Sequence, residues 1–263
     1  MILTVTDGAF SYDGERMIFE NISLAIKKQE CLCILGPNGT GKSTLIKCLV
    51  GLMPLHTGNI LLNGRDIGAL TRADIAQQIA YVPQGHQVVF PFPVQEYVLM
   101  GRSPHLSVFS SPGEEDRRIA QEAIDTVGIG HLAHRPVSEI SGGELQLVLI
   151  ARALAQQPAV MILDEPTSHL DFGNQVRVLR LIEKLAADGI GVIMSSHFPD
   201  HSFIIPQRVA IMKDQRFIAV GDADEVVTPA FLQQAYGIDV TVTHVEEVGR
   251  RICVPSATAA KEK

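Results

Sequence analysis

Short apolar runs, some alternating with polar residues and some continuous, recur along most of the chain. Residues 2–5 and 22–26 alternate, as antiparallel strands do when one face is buried and the other meets solvent. Residues 31–35 and 160–163 are apolar throughout, which is typical of strands covered on both faces. A further buried strand is predicted at 191–195. These runs predict an antiparallel amino-terminal region and a buried sheet.

The middle of the chain has helical rather than strand periodicity. Strand signals are absent between residues 94 and 156, and residues 103–113, rich in Ser and Pro, predict a loop. A helix is predicted where apolar residues recur at helical spacing, at Ile119, Ala123, Ile124 and Val127. Helices are also predicted at 42–50 and 174–187, each closely followed by a glycine. The pattern therefore predicts an α/β fold, in which a mixed-sheet core carries an antiparallel β subdomain and an inserted α-helical subdomain.

Composition narrows the class of protein. The chain is 46% hydrophobic and 19% charged, which is ordinary for a globular protein. It has no apolar run of the ~18 residues that a membrane-spanning helix needs, and its first residues lack the features of a signal peptide, so a cytoplasmic protein is expected. The net charge of −7 argues against nucleic-acid binding, which depends on Lys and Arg neutralising phosphates. Cys31 and Cys33 lie in an apolar run and are expected to be buried, reduced thiols.

A glycine-rich segment follows the first continuous apolar run. Residues 36–43 read Gly-Pro-Asn-Gly-Thr-Gly-Lys-Ser, which fits the pattern G-x-x-x-x-G-K-[ST]. Glycines let backbone N–H groups turn towards phosphate oxygens, and the helix that follows adds its positive dipole end. Lys42 would then contact the β- and γ-phosphates, and the Ser43 hydroxyl would bind Mg²⁺. A plain glycine-rich turn between a strand and a helix is the alternative.

Two carboxylates end the strand predicted at 160–163. Asp164 is expected to hold Mg²⁺ directly or through water, and Glu165 to polarise the attacking water as general base. Alternation along a strand would separate the two side chains, but the chain bends at a strand end and both can face one crevice. Taken alone, the pair could equally be the acidic start of a helix. Beside a phosphate-binding loop, the two carboxylates indicate ATP hydrolysis.

The helix predicted after Ser141 begins with two glycines. Ser141 and Glu144 suit a capping box, which needs neither Gly142 nor Gly143. Each glycine costs up to ~1 kcal/mol relative to alanine, a loss that makes sense where the helix start must approach an anion. With Ile140 in front, this segment resembles the LSGGQ signature of ATP-binding-cassette (ABC) proteins. The resemblance implies a phosphate-loop ATPase core that binds ATP and Mg²⁺.

Other elements of that family occur in the family's order between residues 12 and 197. The resemblance implies that Tyr12 stacks on adenine, that Gln84 senses Mg²⁺ and that His197 contacts the γ-phosphate. Taken singly, these residues could be a strand aromatic, a surface glutamine and a strand-end histidine. The resemblance implies three catalytic residues, Lys42, Glu165 and His197, and three metal-binding residues, Ser43, Gln84 and Asp164. The implied ATP-binding set is Tyr12, Gly36, Asn38, Gly39, Gly41, Lys42, Ser43, Thr44, Gln84, Ser141, Gly142, Gly143 and, in a segment like the D-loop, Asp171.

The resemblance also implies partners and a location. In this family two chains pair head to tail, and the signature of each chain covers the ATP of the other. Residues 94–105, 196–201 and 236–240 are similar to the branch that imports iron-siderophores, haem, vitamin B12 and related metal chelates, through which oxyanions such as molybdate also travel. We therefore expect a second copy, membrane permease subunits and, indirectly, a periplasmic binding protein. The chain would lie at the cytoplasmic face of the inner membrane.

We predict a single ABC ATPase domain over residues 1–255, with no internal repeat. Its predicted parts are the antiparallel β and ATPase core at 1–90 and 157–240, the helical subdomain at 91–156, carboxyl-terminal strands at 240–255 and a flexible tail at 256–263. The apolar residues at the start of the helical subdomain are expected to form the permease-docking surface. They are Phe90, Phe92, Val94 and Val98.

The segment after the signature departs from the family, which commonly has basic residues where this chain has Leu-Gln-Leu at 145–147. The lost positive charge bears on the rate rather than on the reaction. A soluble ABC ATPase that remodels ribosomes or DNA is an alternative, although such proteins usually carry two cassettes or long coiled-coil insertions. A nucleotide-gated binding protein without turnover would need a defect at Lys42, Asp164 or Glu165, and all three are intact. An ATPase assay and co-purification with a membrane subunit distinguish these functions.

Overall fold

A computed structural model of the protein describes residues 1–85, 90–107, 109–205 and 208–256. The tail predicted at 256–263 lies outside these residues, apart from Ser256. In chain order the strands are β1 (Leu3–Ser11), β2 (Met17–Ile26), β3 (Cys31–Leu35), β4 (Thr57–Leu62), β5 (Arg65–Asp66), β6 (Ile79–Val82), β7 (Val160–Leu163), β8 (Gly191–Ser196), β9 (Arg208–Lys213), β10 (Arg216–Asp222), β11 (Val240–Val245) and β12 (Arg250–Pro255).

The α-helices alternate with these strands in the core and follow one another in the middle of the chain. In order they are α1 (Lys42–Leu49), α2 (Arg72–Ala76), α3 (Val94–Leu99), α4 (Glu114–Val127), α5 (Gly142–Ala155), α6 (Phe172–Ala187), α7 (His201–Ile204), α8 (Ala223–Val226) and α9 (Pro229–Tyr236). Short 3₁₀ helices occur at Ile67–Ala69, Met100–His105, Gly130–Leu132, Val137–Glu139 and Glu246–Val248.

A mixed six-stranded sheet forms the centre of the fold. Its strand order is β10-β9-β3-β8-β7-β6, and all of these except β10 run parallel to their neighbours. A second sheet, β2-β1-β4-β5, is antiparallel, and β11 and β12 form a separate hairpin. The predicted α/β class with a mixed sheet and antiparallel amino-terminal strands is confirmed. Because β3, β6, β7 and β8 are parallel, their carboxyl ends lie along one edge of the sheet.

Burial explains why these segments were recognisable in the sequence. All the residues of β3 and β7 are buried, because helices cover one face of the sheet and the antiparallel strands contribute to the core on the other. Cys31 and Cys33 are both buried, as expected, and burial raises the pKa of the Cys33 thiol to about 12. None of the described helices is both long and apolar enough to cross a bilayer.

The helical middle of the chain packs α3, α4 and α5 together. The predicted helix at α4 is confirmed: its apolar face, including Ile119 and Val127, is buried, and Gly128 ends it with a φ of 76°. Part of the loop predicted at 103–113 is instead helical, since the 3₁₀ helix Met100–His105 continues directly from α3. That turn brings the buried Arg102 side chain to the Asp116 carboxylate at 2.9 Å, so it anchors α3 to α4.

The prediction that Val94 and Val98 face a membrane partner is wrong. Both side chains are 0% exposed and belong to the core shared by α3 and the neighbouring helices. Residues four apart on a helix share one face, and here that face is turned inward. Phe90 and Phe92 precede the helix and remain 63% and 41% exposed, with ring centroids 6.0 Å apart. The exposed part of the predicted surface is therefore this phenylalanine pair.

Candidate functional site

The polar residues of the site follow the carboxyl ends of four parallel strands. The loop at 36–43 follows β3, Gln84 follows β6, the two carboxylates follow β7, and His197 follows β8. Ligands of open parallel sheets bind outside this edge, because the loops that leave it converge there. The sheet thus brings together residues that are more than 100 positions apart in sequence, as the contact between Ser43 and Asp164 shows.

The glycine-rich loop turns tightly against the end of β9. Gly36 has a φ of 157°, and a Cβ atom there would lie 2.4 Å from the Met212 carbonyl oxygen, so only glycine fits. Gly41, with a φ of 100°, is the N-cap of α1, whose start is therefore free of a side-chain cap. Asn38 and Gly39 are exposed between them. The loop therefore leaves the amino end of α1 open to an anion, as a phosphate cradle requires.

Lys42 is buried at the base of this loop and is only 4% exposed. Its ammonium group donates hydrogen bonds to the Gly36 and Pro37 carbonyl oxygens at 2.7 and 2.9 Å. The Glu165 carboxylate lies 3.7 Å away. Desolvation by burial lowers the pKa of Lys42, while the carboxylates of Glu165 and Asp164 act in the opposite direction. The amine is thus held at the cradle by carbonyls and a carboxylate that a phosphate group could replace.

Asp164 is the meeting point of two hydroxyl groups. Its Oδ1 atom accepts hydrogen bonds from Ser43 Oγ at 3.1 Å and from Ser195 Oγ at 2.7 Å, and the residue is 3% exposed. Carboxylate and hydroxyl oxygens are the protein ligands that Mg²⁺ prefers. Ser43 and Asp164 therefore fit a magnesium site, although the two residues come from different elements.

Glu165 has a strained backbone and a crowded carboxylate. Its φ is 46°, a left-handed conformation that few residues other than glycine adopt. Its Oε2 atom accepts a hydrogen bond from Gln84 Nε2 at 3.0 Å and lies 3.2 Å from His197 Nδ1. The backbone bend gives the adjacent carboxylates of Asp164 and Glu165 a common environment, as predicted for a chain that leaves its strand. Gln84, predicted as a metal residue, contacts the base candidate Glu165 instead of Asp164.

Tyr12 and Thr44 lie beside the cradle. The Tyr12 hydroxyl is 3.2 Å from Thr44 Oγ1 on α1, and its ring, 62% exposed, packs edge-on against Phe10. An exposed ring at this position is open to a flat ligand such as a nucleobase. Next to the loop, Arg16 and Lys213 line a cavity of about 280 Å³. Neither of these two cations belongs to a sequence motif, so the sequence analysis did not single them out.

The signature segment is a capped helix start. Ser141 Oγ accepts from the Glu144 N–H, and the Glu144 carboxylate accepts from the Ser141 N–H, so the predicted capping box is present. A Cβ atom at Gly143 would lie 2.6 Å from Asn174 Nδ2, whereas Gly142 has open space around it. Close packing within the chain therefore explains Gly143, but not Gly142.

The remaining predicted residue, Asp171, is linked to the signature rather than to the cradle. Asp171 caps α6, and its carboxylate also accepts from the Asn174 side chain that packs on Gly143. No hydrogen bond between described residues joins the signature to the loop at 36–43. The site thus consists of a cradle group at the sheet edge and a signature group at the starts of α5 and α6.

Two candidate functional residues, Ser195 and Asn174, were not identified from the sequence. Ser195 links Asp164 to the backbone of Glu165, because its hydroxyl donates to the Asp164 carboxylate and accepts from the Glu165 N–H at 2.8 Å. Asn174 joins Asp171 to Gly143. A signal for Ser195 existed, since a polar residue inside an otherwise apolar strand needs a buried partner. Asn174 carried no comparable signal. In the segment 145–147, where the family commonly has basic residues, Leu147 is buried in the helical core and Leu145 packs against it.

The loop that carries His197 is supported by a buried histidine. His201 is 5% exposed, and its Nδ1 atom lies 2.9 Å from Ser196 Oγ, which also accepts from the Phe198 N–H. The Phe198 ring lies between the two histidine rings, with centroids 4.0 Å from His197 and 5.2 Å from His201. Desolvation, with a smaller effect of His197, lowers the pKa of His201 to about 4. The ring is thus neutral in the fold under ordinary conditions.

Acidification is expected to destabilise the protein through His201. Between its ordinary pKa of 6.5 and its folded pKa of about 4, the unfolded chain binds a proton that the folded chain does not. The contribution is fully present above pH 6.5 and is lost as the pH falls towards 4, by up to about 3 kcal/mol. Urea unfolding over this pH range should show a weaker pH dependence for His201→Gln than for wild type. The exposed His131 provides the control, His131→Gln, with the wild-type dependence. Identical dependences for wild type and His201→Gln would contradict this assignment.

A family model described as ABC transporter matches residues 19–168. An uncharacterised ABC transporter ATP-binding protein of Haemophilus influenzae is 39% identical over 244 residues, which cover 93% of this chain and 92% of that protein. The iron(3+)-hydroxamate import ATP-binding protein of Bacillus subtilis is 35% identical over 251 residues, 95% of this chain and 93% of its own length.

Solved structures resemble the fold over nearly its whole length. A metal-chelate type ABC transporter in an inward-facing conformation superposes with a TM-score of 0.86 and 32% identity, covering 97% of each chain. The dimeric structure of a bacterial ABC transporter cassette superposes with a TM-score of 0.73 and 25% identity, covering 84% of this chain and 98% of that one.

Proposed function

This chain belongs to the ABC transporter family, as an ATP-binding subunit that hydrolyses ATP, and we propose that it energises a bacterial importer of a metal chelate or an oxyanion. The observation that carries the proposal is the cluster of Lys42, Asp164 and Glu165 at the open start of α1. A buried cation, a metal-binding carboxylate and a base candidate are the groups that phosphoryl transfer to water requires.

The proposed chemistry uses each of these groups on ATP. Backbone N–H groups of residues 36–43 and the Lys42 ammonium bind the phosphates, and Tyr12 stacks on the adenine. Ser43 and Asp164 would hold Mg²⁺, which supplies charge neutralisation at the β- and γ-phosphates. Glu165 orients the attacking water and accepts its proton. Gln84 and His197, which contact its Oε2 atom, hold the carboxylate in position for this role.

We propose that phosphate binding also releases Glu165 for this role. Lys42 lies between the loop carbonyls and Glu165 Oε1, so a phosphate oxygen that draws the ammonium group would weaken its ion pair with Glu165. Gln84 and His197 would keep the carboxylate in place, since both contact Oε2 rather than Oε1. The base would thus become available only when substrate is bound.

A second copy of the chain is proposed to complete the site. The signature start is exposed at Ser141 and Gly142, and nothing in the described fold joins it to the cradle of its own chain. A related cassette has been solved as a dimer. In such a pairing the open space at Gly142 would let the α5 start approach the γ-phosphate of the other copy.

We place the docking surface for the permease at the phenylalanine pair. Phe90 and Phe92 are exposed next to the segment that follows Gln84, and the Phe92 backbone is fixed by hydrogen bonds to Phe90 and Val137. An exposed aromatic pair on a fixed backbone suits an interface anchor. The proposed location is the cytoplasmic face of the inner membrane, with a periplasmic binding protein acting on the permease from the other side. The antiparallel and parallel core at 1–90 and 157–240 would then drive the helical part at 91–156.

Substituting Phe92→Asp is expected to uncouple transport while sparing ATP turnover by the isolated subunit. The Phe92 side chain takes part in none of the cradle contacts described above. An interface anchor typically contributes about 2 kcal/mol or more to binding, so ATP-driven uptake into permease-containing vesicles should fall at least about tenfold. The matched control is Phe109→Asp, a fully exposed phenylalanine of the same helical part. Uptake by Phe92→Asp equal to that of the Phe109→Asp control would contradict the docking surface.

The cargo class is tested by the same vesicles. In vesicles that contain a permease isolated together with this chain, with its binding protein added, uptake of labelled iron-hydroxamate, haem, cobalamin and molybdate is measured in parallel, with ATP inside the vesicles. We expect one of these cargoes to be taken up in an ATP-dependent manner. Uptake of none of them, with intact ATP turnover, would contradict the importer proposal.

A further inference from the structure

We propose that Ser195 is a positioning residue that sets the Asp164 carboxylate for the metal ion and the Glu165 backbone for water activation. The inference rests on the proposed function, because it concerns how the ATP site binds its cation. Ser195 lies near the end of β8, the strand beside β7 in the sheet, and is 0% exposed. Its hydroxyl therefore has only protein groups as partners, and it bridges two adjacent residues of the neighbouring strand end.

The single hydroxyl proton of Ser195 has a defined hydrogen-bond acceptor. Ser195 Oγ donates it to Asp164 Oδ1 at 2.7 Å and accepts the Glu165 N–H at 2.8 Å. A hydroxyl group has one donor and two acceptor positions, so the incoming N–H and the outgoing O–H fix its rotation. Any rotation of Ser195 would break at least one of these bonds at a position closed to solvent.

The consequence for Asp164 is a fixed orientation of its carboxylate. Ser195 and Ser43 both donate to Oδ1, and within the described residues no hydrogen bond ends on Oδ2. Oδ2 is thus the oxygen left for a cation or its water. Because Ser43 gives its proton to Asp164, its lone pairs are also available for a cation. Hydrogen bonds that orient a ligand in this way commonly contribute tenfold or more to metal affinity.

Ser195 also stabilises the strained backbone of Glu165. Its φ of 46° is held on one side by the Ser195 hydroxyl at the peptide N–H. On the other side, the Ser168 N–H and hydroxyl donate to its carbonyl oxygen at 3.1 and 2.8 Å. Without Ser195, the Glu165 amide would lose its buried acceptor, and the turn that aims the carboxylate would be less well determined.

The neighbouring Ser196 provides a matched control within the same strand. Successive side chains of a strand point to opposite faces, and the Ser196 hydroxyl contacts His201 and the Phe198 N–H instead of the carboxylates. Both serines are buried and each carries one hydroxyl. Removing either hydroxyl therefore has similar costs for packing, but only one of them touches the proposed metal residue.

The test is Mn²⁺ binding by the full chain with ADP, followed by electron paramagnetic resonance of the free ion, which needs no turnover. Ser195→Ala is expected to weaken Mn²⁺ binding about tenfold, whereas Ser196→Ala keeps the wild-type affinity and Ser195→Thr, which retains the hydroxyl, stays close to it. Binding of ATP in EDTA should be unchanged in Ser195→Ala, because the cradle contacts do not involve Ser195, and this also shows that the variant is folded.

Wild-type Mn²⁺ affinity in Ser195→Ala would overturn the inference, as would an equal loss in Ser196→Ala. These results leave the proposed function standing, since wild type would still bind the ion with nucleotide. If wild type itself fails to bind Mn²⁺ with ADP, the proposed metal site and this inference fail together. The two failures are therefore distinguishable in one series of titrations.

Discussion

Glu165→Gln is expected to lower the rate of ATP hydrolysis by about 10²- to 10⁴-fold, the usual contribution of a general base, while ATP still binds. The amide keeps the size of the carboxylate and can still contact Gln84 and His197, which lie on its Oε2 side. It cannot accept a proton from water. Phosphate release under saturating ATP and retention of labelled ATP by the same sample measure the two effects separately.

The same variant should accumulate a dimer. ATP that is bound but not cleaved would keep two copies closed, so gel filtration with Mg²⁺ and ATP should show a species of twice the mass of the chain. The control is Glu122→Gln, an exposed residue of α4 outside the site, which should hydrolyse ATP at the wild-type rate. If Glu165→Gln turned over at the wild-type rate, the assignment of the base would be wrong.

Lys42→Ala is expected to lower both the affinity for ATP and the rate of its hydrolysis. The ammonium group is the buried cation of the cradle, and removing one preorganised group that stabilises the transferred phosphate lowers rates by about 10²- to 10³-fold. The substitution also leaves the carboxylates of Glu165 and Asp164 close together without their cation, so the affinity for anionic ATP should fall as well.

Lys47 offers a control on the same helix. It lies in the last turn of α1, its side chain is exposed, and Lys47→Ala changes the net charge by the same amount as Lys42→Ala. Equilibrium binding of a fluorescent ATP analogue, together with thermal melting, should show a loss of binding only in Lys42→Ala, with both variants folded. Equal ATP affinity in the two variants would contradict the role of Lys42.

Much of the fold could be predicted because the burial of each strand or helix determines where apolar residues occur along the sequence. β3 and β7 are covered on both faces and therefore consist of continuous apolar runs, while α4 buries one face and shows helical spacing. The loop at 36–43 was recognisable because its backbone conformation and close packing require glycine. At Gly36, for example, the backbone lies too close to the Met212 carbonyl oxygen for any side chain to fit. The contacts between loops that follow different strands, such as Ser43 with Asp164, could not be predicted. They depend on the order of the strands in the sheet, which no local sequence pattern specifies.

The errors have equally physical causes. Val94 and Val98 were predicted to be exposed because the sequence shows two adjacent apolar groups, these valines and the phenylalanine pair. It does not reveal which group is buried in the core. That Gly143 approaches an anion stays a prediction, but no pattern in the sequence showed that Asn174, far along the chain, also packs against this glycine and excludes a side chain. Ser195 was passed over because its importance lies in two hydrogen bonds to a neighbouring strand. In each case the deciding contact is between residues distant in sequence.

The most direct test of the proposed ATP site is retention and cleavage of ATP by the purified wild-type chain in the presence of Mg²⁺. We predict that the protein binds ATP stoichiometrically at saturation and releases inorganic phosphate, and that chelation of the metal stops phosphate release. A folded protein that retains no ATP and releases no phosphate under these conditions would contradict it.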